Sequence, residues 1–594
     1  MTKLSWIRTL FVRRVTRPIR KKPPRARLVL EALENRWVPS PIIVNNPTDM
    51  PVVGQIDLRQ AIGLANTNGG NETITFDPSV FGMPQTIPLA GTQLELTDTT
   101  GTETITGPAA GVTVSGGGLS RVFQIDGSVT ASISGVTISG GTTTGSGGGL
   151  ANLGGTLTLT NCTVSGNSAT TPASSLGGGL FSLYGTLTLT DCTVSGNSSS
   201  HSGGGVASYF GTATLTNCTV SGNTAGRNAG GVLSRGTTLT LTNCTFSGNS
   251  CGRIGGGVAA VFGGSATLTN CTLSDNTAGL EGGGGEIRSS TATLTNCTIS
   301  GNLATGAFGN GGGLTFDHNN TTLTNCTITG NAAPGPGCSG GGLQAGYGTT
   351  TLTNCTISGN TSGPGLGGGG LSNYGDNTMV TNCTISGNSS ALTGGGVRTT
   401  LGGTTTLVNC NVSGNSAQGN GGGLFVDSGS TTTLSNCNVK GNSAVAGGGI
   451  ANQGTLSVDS SNIINNTATS AGGGISTTGG SATIANSIIN SNQVNSSGTA
   501  LGGGIDCENS TLSLINCTVN ANQANGTNAY GGGIYCLNST VSLQGCTVNG
   551  NKANGSAVGE GGGIYSFNCV LTLANTVVKG NNATTAYDNI FSGP

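Results

Sequence analysis

The chain has 594 residues, of which 110 are glycine and 7% are charged. Because globular proteins carry about 25% charged residues, this composition argues against an ordinary multi-domain enzyme and favours a repeat protein. Residues 1–40 hold 11 of the 21 basic residues, and the remainder carries 10 basic against 20 acidic residues. Because the remainder has an acidic net charge, it presents no cationic surface for phosphate groups and is not expected to bind nucleic acid.

Residues 1–40 are interpreted as a basic leader or export region that is disordered. Its apolar pieces near Trp6 and Phe11 are interrupted by Arg8 and Arg13, so it lacks the apolar core of a familiar signal peptide. No run of about 18 apolar residues occurs in the chain, and we therefore expect no transmembrane segment.

Residues 41–130 are predicted to form an N-terminal cap and the first irregular coils. The stretch DLRQAIGLAN at 57–66 predicts a short helix, with Asp57 as a suitable N-cap. Leu58, Ala61, Ile62 and Ala65 fall on one helical stripe. This stripe is expected to cover the apolar end of the first coil, since the terminal coils of a repeat protein need caps.

Residues 131–586 contain one degenerate repeat. The phrase GGGLANLGGTLTLTNCTVSGN at 147–167 recurs as GGGLFSLYGTLTLTDCTVSGN at 177–197. Positions equivalent to Cys162 follow at intervals of 24 to 30 residues between Val136 and Thr576, which predicts about 17 coils. Residues 587–594 are left as a C-terminal tail or cap.

Within each repeat, alternation of residues defines a strand with one buried face. Leu157 and Leu159 alternate with threonines, a period of two that indicates a half-buried strand. The alternation slips at Asn161, since Cys162 and Val164 then take the inward parity. Asn161 is therefore predicted to be a corner, because asparagine tolerates left-handed backbone angles.

The three segments of the repeat predict three short strands per coil. The first two are TLTLT and CTVSGN, and the third is GGG with its following aliphatic residue. The fold class is thus all-β: a single-stranded parallel β-helix similar to the pectate-lyase solenoid, right-handed by analogy with parallel crossovers. Stacking aligns equivalent side chains in ladders, with expected members Cys162, Cys192, Cys218 and Cys244, Asn161, Asn217 and Asn243, and Asn167, Asn197 and Asn223.

Three quoted stretches resemble segments of known bacterial surface proteins. LVLEALENRWVPS at 28–40 resembles a short N-terminal region shared by many extracellular proteins of planctomycete bacteria. IDLRQAIGLANTNGGNETITFDPSVF at 56–81 looks like the SLREAI-type motif at the start of many bacterial surface β-helices, with Asp57 and Gln60 as departures.

The repeat itself, GGGL with VSGN, resembles the paired tetrapeptides of polymorphic outer membrane protein repeats, and 246–249 reads FSGN. The resemblances imply a protein that is secreted or on the cell surface or outer membrane of a bacterium, adhesin-like, with a surface glycan or protein as partner. In the family a C-terminal autotransporter barrel is usual, whereas here the repeats continue almost to Pro594.

Most of the 18 cysteines occupy one inward position of successive coils, which favours buried free thiols. If a disulfide exists, Cys507 and Cys536, which follow Ile505 and Ile534 in neighbouring coils, are the expected pair. Zinc-type spacing is absent from the sequence and only two histidines occur, so no metal or other cofactor is expected.

Two hypotheses about function remain open from the residues. The first is a non-catalytic structural or adhesin-like β-helix. The alternative is a polysaccharide-binding or polysaccharide-degrading β-helix, a lyase or hydrolase, and only this alternative would use calcium. Its candidate catalytic residues are Asp317 with His318 and Asp506 with Glu508, while Glu281 and Glu286 lie near Arg288. Asp506, Tyr535 and Tyr565 form its candidate sugar-stacking strip.

Overall fold

The computed structural model describes residues 40–594, so the proposed leader lies outside the described residues except for Ser40. Over this range the chain is a stack of parallel β-strands with one helix, Leu58–Asn68. The described helix is too short and too polar to cross a membrane. The structure confirms the fold predicted from the sequence, a parallel β-helix with a short N-terminal helix.

A regular coil contains four strands. In one example they are Leu150–Leu153, Thr156–Thr160, Thr163–Ser165 and Ser168–Ala169. Equivalent strands of successive coils pair in parallel and in register, and we call the four resulting stacks the first to fourth columns. In the second column, for instance, Leu157 lies beside Leu187 and Leu159 beside Leu189.

The first column carries the site described below. Its strands from residue 150 to residue 400 are Leu150–Leu153, Leu180–Leu183, Val206–Tyr209, the start of Val232–Thr242, the start of Val258–Thr269, Gly285–Arg288, Leu314–Asp317, Leu343–Gly346, Leu371–Tyr374 and Val397–Thr400. The two long strands run through the corner and join the first column to the second.

The fourth column corrects the prediction of three strands per coil. Its strands have only two residues in most coils, as in Ser168–Ala169, and such a short strand has no alternation that a sequence pattern could reveal. In the C-terminal coils it lengthens to Gln523–Tyr530 and Lys552–Glu560.

The third column has nineteen strands, so the described range contains about nineteen coils, close to the predicted number. The additional coils lie before Val136, where the third-column strands Gln85–Pro88 and Val112–Ser115 lack the repeat phrase. The other N-terminal strands are Ile42–Val44, Glu72–Phe76, Leu94–Leu96, Thr102–Thr106, Phe123–Ile125, Thr130–Ser134, Val136–Ser139 and Thr142–Thr143.

The helix caps the first coils as predicted. Asp57 is its N-cap: the carboxylate accepts from the backbone nitrogen of Gln60, whose side chain accepts in return from the backbone of Asp57. Leu58, Ala61 and Ile62 are buried in the main core, which runs through the stack. This reciprocal capping satisfies two helix-terminal donors and fixes the apolar stripe against the coils.

An inner asparagine ladder occupies the turn between the third and fourth columns. Asn302 is representative: its Oδ1 accepts from the Nδ2 and the backbone nitrogen of Asn276, at 3.0 Å each. Its Nδ2 donates to Asn331 Oδ1 and to the carbonyl of Leu273, at 2.9 Å each. Every polar atom of this buried amide is therefore bonded.

The members of this ladder are Asn167, Asn197, Asn223, Asn249, Asn276, Asn302, Asn331, Asn360, Asn388, Asn415, Asn442, Asn466, Asn492, Asn522, Asn551 and Asn581. A second, outer row lies at the corner before the cysteines. There Asn161, Asn217 and Asn243 have φ values of 52°, 54° and 54°, and Asn243 Nδ2 donates to Asn217 Oδ1 at 3.1 Å. The outer row is exposed to solvent, whereas the inner ladder is buried.

The cysteine ladder lies just inside the outer corner. Cys162, Cys192, Cys218 and Cys244 are at most 2% exposed and have free thiols. Each thiol lies within hydrogen-bonding distance of main-chain carbonyls, as Cys162 Sγ does 3.4 Å from the carbonyl of Ile133. Where serine replaces cysteine, at Ser461, its Oγ accepts from the nitrogen of Cys437 at 2.9 Å, so the hydrogen-bonding position is kept.

The disulfide joins Cys536 to Cys569, not Cys536 to Cys507 as expected. Cys507 and Cys536 do lie side by side in the first column, but both side chains point in the same inward direction. Cys569 lies at the corner after the next first-column strand, packs against the same core, and has its Cα 6.6 Å from that of Cys536. The correction therefore comes from side-chain direction, which matters as much as distance.

Native alkylation tests the thiol assignment. We expect iodoacetamide at pH 8 to modify the folded full chain very slowly, because the thiols are buried and burial raises the pKa of Cys251 and Cys507 to about 11. In denaturant without reductant, mass spectrometry should count 16 modified cysteines and a peptide pair linking Cys536 with Cys569. A linked pair containing Cys507 would contradict the assignment.

Candidate functional site

The outer face of the first column is covered by a second apolar layer. In each strand the first and third residues face the core, and the second and fourth face outward. The loop that follows the fourth column folds over the second residue, so Phe181, Ala207 and Leu233 are buried outside the main core. Ile254 of this loop packs against them. The fourth residue of each strand lies at the edge of the loop, where the surface opens.

At this edge a cavity of about 420 Å³ lies between the loops and the strands. We call it the basic cleft. Its loop wall is formed by His201, Arg227 and Arg253, its strand wall by Tyr209, Arg235 and Arg288, and its floor by Leu233, Ile254 and Val261, with Phe262 at the rim.

The loop wall is built by backbone hydrogen bonds between coils. The nitrogen of Arg227 donates to the carbonyl of His201 at 2.6 Å, and that of Arg253 donates to Arg227 at 2.6 Å. Leu280 continues the row by donating to Arg253 at 2.7 Å. Arg227 and Arg253 therefore follow one another at the coil spacing of about 4.8 Å.

The strand wall places one guanidinium between aromatic rings. The Cζ atom of Arg235 lies 4.5 Å from the ring centre of Phe262 and 5.6 Å from that of Tyr209. Such cation–π contacts hold a guanidinium in a fixed orientation. Burial raises the pKa of Tyr209. Burial and the neighbouring Arg227 lower the pKa of His201, so the positive charge of the cleft comes from its arginines.

Three of the four arginines have no ion pair within residues 40–594: Arg227, Arg235 and Arg253. Arg288, by contrast, lies 2.8 Å from Glu281, 3.1 Å from Glu286 and 3.0 Å from Asp317. Glu281 also lines the cleft and is paired with Arg288, so the uncompensated positive charge there is that of Arg227, Arg235 and Arg253.

The predicted pair Asp317 and His318 lies next to the cleft. Asp317 Oδ1 is 2.7 Å from His318 Nδ1, and the exposed imidazole is 5.1 Å from the ring of Tyr347. Burial, followed by repulsion from Glu281, raises the pKa of Glu286 to about 8. Because Glu286 is fully buried and Asp317 contacts Arg288, these carboxylates are engaged with the protein itself.

The predicted strip of Asp506, Tyr535 and Tyr565 is not an open surface, which corrects the expectation of surface aromatics. Asp506 is 2% exposed and Tyr535 is 8% exposed. The ring of Tyr565 lies 5.4 Å from that of Tyr535 and 4.9 Å from Tyr530, which belongs to the long fourth-column strand. Burial, then the charge of Glu508, raises the pKa of Asp506 to about 8. Asp506 and Tyr535 are therefore covered, whereas Tyr565 is partly exposed.

A row of exposed aromatic residues follows the corner between the first and second columns. Tyr184, Phe210, Phe262 and Tyr347 have φ between 50° and 62° and are 48% to 67% exposed. In some other coils this corner is glycine, as at Gly236, where left-handed angles cost little, and in others it is a non-aromatic residue such as Ser289, Leu401 or Asn509. A non-glycine residue with left-handed angles costs about 1–2 kcal/mol, and these four aromatic side chains still keep about half or more of their surface exposed.

The cleft was not predicted, although the sequence contains a signal for it. Arg227 and Arg253 stand 26 residues apart at equivalent loop positions, while Arg235 and Arg288 share the fourth position of their strands. Aligning the loops of successive repeats, and not only the strands, would bring these arginines together.

Among residues 40–594, no group of three or more histidine, cysteine or acidic side chains is placed to hold a metal ion. The use of calcium remains a prediction that belongs only to the enzymatic alternative.

The family model described as a right handed beta helix region matches residues 179–345 and 287–463. The match covers residues 179–463, and together with the parallel stacking it gives the fold as a right-handed parallel β-helix built from repeats. A solved structure, ORF18 of Geobacillus virus E2, aligns at 12% identity and a TM-score of 0.25 over 57% of this chain and 60% of that chain. A comparison with curated proteins finds no match.

Proposed function

We propose that the chain is a non-catalytic β-helix of the bacterial cell surface or exterior, adhesin-like, which binds its ligand in the basic cleft. The observation that carries the proposal is the concentration of arginines. The repeats at 131–586 hold eight basic residues, and four of them line this one cavity. The fold does not require arginines at these positions, since other coils form the same turns with uncharged residues.

Two features support a location outside the cytoplasm. The first is the set of resemblances to bacterial surface proteins at 28–40, 56–81 and in the repeats. The second is the disulfide between Cys536 and Cys569, because disulfides persist mainly in oxidising compartments.

The candidate catalytic acidic residues contact other protein groups, which supports a binding role over catalysis. Glycoside hydrolysis requires two carboxyl groups that face each other across the sugar. In the cluster around Arg288, two members of which line the cleft, Glu281, Glu286 and Asp317 all contact the guanidinium group. At the other candidate site, Asp506 is buried and accepts from Ser476 Oγ at 2.8 Å.

The test is a turnover assay with the purified full chain on acidic and neutral polysaccharides, with and without calcium. We expect no new reducing ends and no unsaturated products, while affinity electrophoresis in gels containing the same polysaccharides shows retardation. Product formation that disappears in Asp317→Asn or Asp506→Asn, with unchanged circular dichroism, would establish the polysaccharide-degrading alternative instead.

A further inference from the structure

We infer that the ligand of the basic cleft is an anionic polysaccharide, whose carboxylate or sulfate groups bind Arg227, Arg235 and Arg253. Its sugar rings lie on the exposed residues Tyr184, Phe210 and Phe262, which we call the aromatic rim and which reach the cleft at Phe262. The inference rests on the proposed function of the cleft as a binding site and adds the chemical class of its ligand.

The charge of the cleft selects an anion. Arg227, Arg235 and Arg253 lack ion pairs within the described range, although acidic residues outnumber basic ones two to one in the chain after residue 40. A planar guanidinium donates two parallel hydrogen bonds to a carboxylate or sulfate. Against the apolar floor of Leu233 and Val261, these bonds are less screened than on an open surface.

The spacing of the arginines selects a repeating ligand. Arg227 and Arg253 are held on successive loops by the bond between their backbones, and Arg235 faces them from the strand wall. A single small anion can accept paired hydrogen bonds from one or two guanidinium groups. A polymer with charges at regular intervals can contact all three arginines.

The aromatic rim selects a ligand with flat apolar faces. The rings of Tyr184 and Phe210 stack at 5.5 Å with an angle of 20°, and Phe262 occupies the same corner two coils beyond Phe210, with Gly236 at the corner between them. From Tyr184 to Phe262 the row covers three coil steps, or about 15 Å along the axis. Sugar rings have apolar faces that pack on exposed aromatic side chains, so a chain of several sugars fits this row.

The experiment measures binding of the full chain to polygalacturonate, chondroitin sulfate, neutral dextran and single-stranded DNA by affinity electrophoresis at two salt concentrations. The test variant is Arg227→Gln with Arg253→Gln, both of which are exposed side chains. The matched control is Lys440→Gln with Lys552→Gln, which removes two exposed charges elsewhere on the stack. A third variant, Phe262→Ala, removes a rim ring.

We expect at least one acidic polysaccharide to bind, more weakly at high salt. The arginine variant should raise the Kd at least 30-fold, Phe262→Ala about fivefold, and the lysine control less than twofold. The choice between carboxylate and sulfate follows from which acidic polymer binds more tightly.

Several outcomes would overturn the inference. Binding of dextran as tight as that of the acidic polymers, and unaffected by the arginine variant, would leave a binding cleft with a neutral ligand. Binding of single-stranded DNA more tightly than any acidic polysaccharide would assign the cleft to another class of polymer. Failure of every acidic polysaccharide to bind would reject the ligand class. By contrast, polysaccharide cleavage in the turnover assay would reject the proposed non-catalytic function while leaving the ligand class intact.

Discussion

Gly312→Ala is expected to lower the free energy of unfolding by about 3 kcal/mol or more, because the added methyl group has no space. Gly312 is the second glycine of a GGG run at the start of a first-column strand. A Cβ atom there would overlap the main-chain carbonyl group of Ala332 and lie 2.5 Å from the carbonyl oxygen of Gly341. Backbone atoms of the next coil cannot rotate away as a side chain can.

Urea unfolding followed by circular dichroism, together with hydrogen exchange of peptides from this coil, measures the effect. The matched control is Gly330→Ala, which has φ of 63° but only the nitrogen of Gly301, at 4.0 Å, near its Cβ position. That change should cost about 1 kcal/mol from left-handed backbone strain alone. Equal losses in the two variants would show that close coil packing does not explain the GGG runs.

Asn302→Ala is the second large effect, with an expected loss of about 3–4 kcal/mol. The amide makes four hydrogen bonds, and its removal leaves the backbone nitrogen and one of the two Nδ2 hydrogens of Asn276 without acceptors in a buried site, while the other Nδ2 hydrogen keeps the carbonyl of Phe246. Each buried polar group left unsatisfied costs about 1–3 kcal/mol. Because stability in repeat arrays is local, faster hydrogen exchange should be strongest in the coils on either side.

The control for this change is Asn296→Gly in the same coil. Asn296 belongs to the exposed outer row and has φ of 55°, which glycine adopts freely. We expect a change within about 0.5 kcal/mol, because water replaces the lost exposed bond and glycine keeps the turn. If the outer change proved as costly as the inner one, the distinction between the two asparagine rows would be wrong.

The repeat made most of the fold predictable. The parity slip at Asn161 predicts a corner, and its φ of 52° is the left-handed angle that such a corner needs. The capping helix followed from Asp57 and one apolar stripe, features that act over short distances in the chain. By contrast, Ser168–Ala169 is too short for any pattern, and the first coils lack the repeat phrase.

The candidate site was less predictable because it depends on which loops cover which strands. The alternation of inward and outward side chains predicts that Tyr535 faces outward. Only the structure shows that the lengthened fourth-column strand Gln523–Tyr530 lies over this part of the first column. Likewise, Arg227 and Arg235 belong to opposite walls of one cavity, a relation that depends on how the loop folds back. Side-chain direction also decided the disulfide, which sequence spacing cannot supply.

In the proposed function, the β-helix binds its ligand at one place, the basic cleft. Hydrogen–deuterium exchange of the full chain, with and without the tightest-binding acidic polysaccharide, tests it most directly. We expect protection in peptides covering residues 201–210, 226–236 and 252–263, and none in the C-terminal coils around Tyr535. Protection confined to another column or to the C-terminal coils would contradict the claim.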